Sequence, residues 1–201
     1  GHIRSNAADD DAAEIVTAGG TISLEARDGI ADSSGADGFE IDSGGGNVTL
    51  VADGTGAVFV DYVAADADAL TLALTATAAT GAMNYESAAT GALTLNAVST
   101  AGNAVTISHA GDIAATSVTT TTGNQTITTS SGTIAVTDIN ASTGAVNITG
   151  TDDITINNTG SITATGASNI DIDASAGHIR SNAADDDAAE IITAGGTISL
   201  E

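Results

Sequence analysis

A segment of 25 residues occurs twice in this chain of 201 residues, once at each end. Residues 1–25 read GHIRSNAADDDAAEIVTAGGTISLE, and residues 177–201 repeat them with one change, Ile192 in place of Val16. Residue 177 therefore aligns with residue 1, an offset of 176 positions. Near-identity over such a length is typical of a tandem array built from long repeats.

The offset predicts how the chain divides. Residues 1–20 end one repeat with its final coil, residues 21–196 form one full period of 176 residues, and residues 197–201 begin the next repeat. No signal peptide is visible and the first residue is not Met, so we expect an internal segment of a longer protein.

A shorter period of about 21 residues lies inside the long one. Residues 103–123 (NAVTISHAGDIAATSVTTTTG) align with residues 124–144 (NQTITTSSGTIAVTDINASTG), which places Ile113 on Ile134. Between glycines, apolar residues alternate with polar ones, as at Val105 and Ile107. Alternation of period two indicates strands with one buried face, and Gly, Asn, Asp and Ser clusters indicate corners. No segment has the period of a helix.

Short strands that recur at this spacing predict an all-β fold, a parallel β-helix or β-solenoid with about seven coils per repeat. A β-sandwich would join its strands by hairpins, and hairpin signals are sparse here. Three coils exceed the short period and are expected to carry loops within residues 29–46, 60–68 and 181–190. The predicted coils are 21–46, 47–81, 82–102, 103–123, 124–144, 145–166 and 167–196.

Composition supports this fold and excludes several functions. Proline and cysteine are absent and aromatic residues make up 2% of the chain, so small and β-branched side chains must fill the core.

The formal net charge is −23, with three arginines and no lysine. Such a chain is not expected to bind nucleic acid, because phosphate binding needs basic side chains. It also lacks the ~20 apolar residues of a membrane span, so membrane insertion is not expected.

The pattern resembles the repeat region of filamentous-haemagglutinin-like exoproteins and giant bacterial adhesins. The segments that carry the likeness are GGTISLEARDGIADS (19–33), GGGNVTLVADGTGAV (44–58) and GDIAATSVTTTTGNQTI (111–127). The resemblance implies a right-handed parallel β-helix, exported to the bacterial cell surface, whose shaft displays binding regions away from the cell. The chain departs from the family in containing no amino-terminal secretion domain.

The densest acidic cluster is a candidate calcium site, because Ca²⁺ prefers oxygen ligands. A solvated surface loop is the competing interpretation, and neither EF-hand spacing nor a calcium β-roll nonapeptide is present. Asp171 and Asp173 are expected to face outward, where adjacent coils could share a cation, but the favoured interpretation is that they are solvated carboxylates. The candidate ligands are Asp9, Asp10, Asp11 and Glu14 with their copies Asp185, Asp186, Asp187 and Glu190.

Histidines and arginines are too scattered to predict a catalytic site. His2, His109 and His178 stand apart, and Arg4 and Arg180 are expected to form local ion pairs near the acidic loop. No cofactor other than calcium is suggested.

We therefore predict no enzymatic activity, and a structural shaft of a long cell-surface or secreted protein that mediates adhesion or cell–cell contact. Its partners would be neighbouring repeats, further copies through lateral or end-to-end association, and a glycan or cell-surface ligand. Two alternatives remain: an ice- or mineral-binding solenoid, suggested by threonine-rich runs, and a polysaccharide-acting β-helix enzyme, which would need one cleft of cooperating groups.

Overall fold

A computed structural model describes residues 1–5, 13–32, 38–63, 72–182 and 189–201. Across these residues all 21 strands pair in parallel and no helix is formed. Accordingly, these residues contain no apolar helix of the length that crosses a membrane. The all-β solenoid predicted from the repeat is confirmed, with about seven turns; its right-handed sense stays a prediction.

Strands alternate along the chain between two sheets, here called sheet A and sheet B. Sheet A contains β1 (His2–Ser5), β2 (Ile15–Val16), β4 (Gly29–Asp32), β5 (Phe39–Asp42), β7 (Val58–Tyr62), β9 (Met83–Ser87), β11 (Val105–His109), β14 (Gln125–Thr129), β16 (Val146–Gly150), β18 (Ile170–Ala174) and β21 (Ile198–Leu200). Sheet B contains β3 (Ile22–Ala26), β6 (Asn47–Ala52), β8 (Leu72–Ala78), β10 (Leu93–Thr100), β12 (Ile113–Ala115), β13 (Val118–Thr120), β15 (Ile134–Ala141), β17 (Ile154–Ala164), β19 (Ile179–Ser181) and β20 (Ile191–Thr193).

The core lies between the sheets and consists of stacked like residues. Ile107, Ile127, Ile148 and Ile172 occupy the same position in successive turns of sheet A, and all four are buried. Each such side chain contributes roughly 1.5–3 kcal/mol through burial. Polar residues alternate with the apolar ones and point outward, so the period-two pattern is realised strand by strand.

The 21-residue spacing is confirmed in the middle of the chain and lengthens toward both ends. Ile113 pairs with Ile134, as aligned, whereas Ile22 pairs with Val48 and Ile170 with Ile198. Additional residues are accommodated at the corners and, in β10 and β17, at register shifts within the strands. The three predicted loops fall partly outside the described residues, at positions 33–37, 64–71 and 183–188.

A glycine stands two residues before the first inward residue of most strands. At most of these positions the α-carbon passes so close to the backbone of the preceding turn that a side chain would overlap it, as Gly144 would overlap the Gly123 carbonyl; Gly20 is an exception, since its nearest neighbour is the Thr17 side chain at 3.4 Å. This close approach lets each coil lie flat on the one before it. The same position is occupied by Gly20, Gly46, Gly56, Gly81, Gly91, Gly111, Gly123, Gly132, Gly177 and Gly196.

Candidate functional site

From β9 onward, the outward face of sheet A is a ladder of polar side chains, which we call the sheet A ladder. Its residues lie in two columns, each running along the solenoid with one residue per turn. The first column is Asn84, Thr106, Thr126, Asn147, Asp171 and Ser199, and the second is Glu86, Ser108, Thr128, Thr149 and Asp173. All of these side chains are at least partly accessible to solvent.

The composition of the sheet A ladder bears on the threonine-rich runs. Thr106 and Thr126 stack on each other, but the next two turns place Asn147 and Asp171 in the same column. Threonines of successive turns therefore do not form a uniform column on this face. The ladder instead offers hydroxyl, amide and carboxylate groups side by side, which suits hydrogen bonding to a polar surface or ligand.

Asp171 and Asp173 face outward, as predicted. Asp171 is exposed, and its neighbours in the adjacent turns are Asn147 and Ser199 rather than carboxylates. Its column therefore does not bring a second acidic side chain beside it. Within the residues that the structure describes, no three His, Asp or Glu side chains are grouped to hold a metal ion.

Of the acidic cluster at each end of the chain, the structure describes only the last residue, Glu14 in the first copy and Glu190 in the second. Asp9, Asp10 and Asp11 and their copies Asp185, Asp186 and Asp187 lie outside the described residues. Glu14 accepts hydrogen bonds from the Ser5 hydroxyl at 2.6 Å and from the Glu40 backbone N–H at 2.9 Å. Both of its carboxylate oxygens are thus engaged by protein donors, so Glu14 closes the base of the loop.

The second copy repeats this arrangement. The Ser181 hydroxyl donates to Glu190 at 3.3 Å, across the same nine-residue separation as Ser5 and Glu14. Calcium binding by the intervening aspartates stays a prediction. The structure adds that a serine and a glutamate on either side of these residues are hydrogen-bonded to each other in both copies.

The predicted local ion pair of Arg180 is present, but its partner belongs to the preceding turn. The Arg180 Nε lies 3.4 Å from an Asp153 carboxylate oxygen, and the ring Nδ1 of His178 lies 3.2 Å from the other. The His178 backbone N–H also donates to Asp153, and this hydrogen bond is the first cause that holds the pKa of Asp153 below its usual range. All three side chains are exposed, so the cluster contributes little to stability.

Asp153 represents a corner arrangement that the sequence analysis missed. In four corners an Asp or Asn directly before a strand accepts the backbone N–H of the residue in the same position one turn later. The acceptor and donor residues are Asp112 and Thr133, Asn124 and Ala145, Asp153 and His178, and Asn169 and Thr197, at 2.7, 2.9, 2.9 and 3.1 Å. The signal in the sequence is the Asx residue that precedes the first inward residue of these four strands.

His109 is the one buried histidine of the described residues. Its side chain is at an inward position of β11, between Ser87 and Thr129 of the adjacent turns. The ring Nε2 lies 2.7 Å from the Gly91 carbonyl oxygen, which requires that Nε2 carry the proton, and Nδ1 has no hydrogen-bond partner within the described residues. Burial lowers the pKa of His109, although the Gly91 carbonyl and the Asp112 carboxylate act in the opposite direction.

We expect His109 to make the solenoid less stable in mild acid. Its pKa is lower in the folded chain than the usual 6.5, so the unfolded chain takes up the proton first as the pH falls. The stability contributed by the neutral ring is present above pH 6.5 and decreases below it. His109→Thr, which places in β11 the residue that β14 has at this position, should lose less stability between pH 7 and pH 5 in urea titrations. Equal losses in the two proteins would contradict the assignment.

Comparison with protein families, with curated proteins and with solved structures gave no match to this chain.

Proposed function

We propose that this chain is part of the shaft of a long cell-surface or secreted repeat protein, a stiff fibre that serves adhesion or contact between cells. The observation that carries the proposal is the recurrence of the same 25 residues at the two ends of one continuous solenoid. Each turn pairs only with the turns before and after it, so further repeats extend the molecule lengthwise.

The two copies of the segment differ in how far their apolar side chains are covered. Ile198 and Leu200 in the last strand are 44% and 52% exposed, whereas their copies Ile22 and Leu24 are 2% and 9% exposed. The same local sequence therefore has its apolar side chains covered only where further coils follow. An additional repeat would cover Ile198 and Leu200 in the way that the present coils cover Ile22 and Leu24.

The outer surface supports a role in contact with polar surroundings. The sheet A ladder offers hydroxyl, amide and carboxylate groups that repeat about every 4.8 Å along the axis. The net charge of −23 keeps neighbouring shafts apart unless salt or divalent cations screen it. A bacterial surface location follows from the resemblance of the repeats to exported adhesins.

Length measurements test the shaft directly. Proteins with one, two and three repeats should gain roughly 35 Å in length for each 176 residues, because strands stack about 4.8 Å apart. Small-angle X-ray scattering should show a constant cross-section as the maximum dimension increases. A compact particle that widens with each repeat, or folded units joined by flexible linkers, would refute the proposal.

Adhesion needs a separate experiment, since a shaft can also be a passive spacer. We expect the three-repeat protein to bind to a glycan array or to intact cells, and expect competition by the one-repeat protein at higher concentration. Binding to ice crystals with thermal hysteresis would favour the alternative function suggested by the threonine-rich runs.

A further inference from the structure

The two copies of the 25-residue segment lie in opposite sheets. In the first copy β1 and β2 belong to sheet A and β3 to sheet B. In the second copy the equivalent strands β19 and β20 belong to sheet B, and β21 belongs to sheet A. Two segments that differ at a single position thus lie in opposite sheets of the same solenoid.

Strand pairing shows how this exchange arises. From Ile22 in sheet B, seven full turns lead to Ser181 in the same sheet, and the copy of Ile22 is Ile198, half a turn further on in sheet A. One repeat therefore contains seven and a half turns. The successive partners are Ile22, Val48, Leu74, Leu95, Ala115, Val136, Ile156 and Ser181.

The cross-section changes along the repeat in a way that fits the half turn. Sheet A begins with two strands per turn, β1 with β2 and then β4 with β5, and continues from β7 onward with a single strand. Sheet B begins with the single strand β3 and ends with two, β19 and β20. The wide side of the solenoid has moved from sheet A to sheet B by the end of the repeat.

Sheet B widens by insertions at defined positions. The register between β8 and β10 shifts between Leu95 and Ala97, which adds one residue to the strand in the later turn. The register between β15 and β17 shifts again, so that Val136 pairs with Ile156 while Asp138 pairs with Ser161. These insertions lengthen the strands of sheet B, and β19 and β20 then pair with the two halves of the long strand β17.

One side-chain hydrogen bond recurs in the two copies despite their opposite placement. The hydroxyl–carboxylate hydrogen bond of Ser5 and Glu14 in sheet A has its counterpart in Ser181 and Glu190 in sheet B. The same local hydrogen bond therefore occurs once in sheet A and once in sheet B.

We infer that consecutive repeats of the array are related by a two-fold screw, a half-turn rotation with an axial rise of about 36 Å, seven and a half strand spacings. This inference rests on the proposed continuation of the shaft. Any surface feature recurs on the opposite face after about 36 Å and on its original face after about 72 Å. The sheet A ladder of one repeat is thus displayed on the reverse side by the next, and a ligand of this ladder binds to both faces of the fibre.

Cysteine cross-linking tests the half turn within the present chain, which has no native cysteine. The double variant Asp171→Cys, Ser199→Cys joins register neighbours in sheet A, and we expect dibromobimane to bridge the two thiols. The variant Thr163→Cys, Ser199→Cys places the thiols on opposite sheets, and we expect no bridge. The variant Asn147→Cys, Asp171→Cys provides the positive control.

The opposite pattern, with bridging from Thr163 and none from Asp171, would overturn the inference. Failure of the Asp171 and Ser199 pair beside a reactive positive control would also overturn it. Circular dichroism of each variant establishes that the strands are retained.

Labelling of a four-repeat protein tests the screw and separates it from the proposed function. With Thr149→Cys in every repeat and gold particles attached to the exposed thiols, electron micrographs should show labels on alternate sides of the shaft. Labels in one row along a straight shaft would overturn the two-fold screw and leave the fibre intact. A particle without a shaft would refute the proposed function, and the cross-linking result would stand separately.

Discussion

Gly144→Ala is expected to destabilise the solenoid by about 3 kcal/mol, at the upper end of the cost of overpacking. A Cβ at this position would overlap the backbone carbonyl of Gly123 in the preceding turn and lie 2.9 Å from the Asn124 nitrogen. Backbone atoms of a paired strand cannot move aside as a flexible side chain can. The two turns would have to separate, which would weaken the hydrogen bonds between β14 and β16.

Gly150→Ala is the matched control for this prediction. Gly150 is also buried, but a Cβ there would meet only side-chain atoms, the nearest being Ile154 Cγ1 at 3.4 Å and Ile134 Cδ1 at 3.6 Å. Ala174 already occupies the same position in the next turn. We expect this variant to change the free energy of unfolding by no more than about 1 kcal/mol, with a gain from the stiffer unfolded chain. Urea titrations followed by circular dichroism compare the two proteins, and equal losses would refute the argument from close backbone approach.

Leu24→Ala should cost about 2–5 kcal/mol, whereas Leu200→Ala should cost about 1 kcal/mol or less. Both leucines stand in the same sequence, ISLE, but Leu24 is 9% exposed and Leu200 is 52% exposed. The difference between the costs of the two substitutions measures how much the covering coil contributes to the free energy of unfolding. A solenoid can open from its ends without unfolding as a whole. Amide hydrogen exchange in β3 and β6 should therefore be measured together with the unfolding titrations, so that local opening of these strands is detected.

Addition of one further repeat should make the two leucines equivalent. The cost of Leu200→Ala is then expected to rise to that of Leu24→Ala, because the next coils cover Leu200. If the cost in the longer protein stays at the value measured in the present chain, the added repeat does not continue the solenoid. The same comparison with Ile22 and Ile198, which are 2% and 44% exposed, provides an independent pair.

Much of the fold could be predicted from the spacing of apolar residues. Alignment at 21 residues correctly paired Ile113 with Ile134 and Val118 with Ile139. This works because side chains of a strand alternate between its faces, and a parallel turn returns each residue to the same position. The glycines were recognised as corners, although their close approach to the preceding turn became visible only in the structure.

The alignment could not predict which polar residues face the core. Gln125 occupies the position that Val105 and Val146 have in the adjacent turns, and its buried amide donates to the Asn140 carbonyl at 2.7 Å. His109 likewise faces the core and contacts the Gly91 carbonyl. A polar side chain is tolerated inside where a backbone carbonyl accepts its hydrogen bond, and such carbonyls are located only by the tertiary fold.

The interaction partners of the candidate site residues depended on the tertiary structure more than the fold did. The sequence predicted a local ion pair for Arg180, and within the described residues its partner is Asp153, 27 positions earlier. Glu14 was counted among the calcium ligands, and the structure engages both of its oxygens with protein donors. Proximity along the chain is a poor guide here because the closest neighbours of a residue lie one turn away.

The sequence by itself determined that this chain is a repeating stack of parallel strands, since its periods of two and about 21 residues specify inward side chains and turn length. It could not determine on which side of the stack a strand lies. Residues 22–24 and 198–200 differ in nothing, yet one segment belongs to sheet B and the other to sheet A. The alternation of apolar and polar residues specifies only which side chains face inward and which face outward. Whether a strand belongs to sheet A or sheet B depends on how many half turns the intervening coils complete. That number depends in turn on where the longer coils place their extra residues.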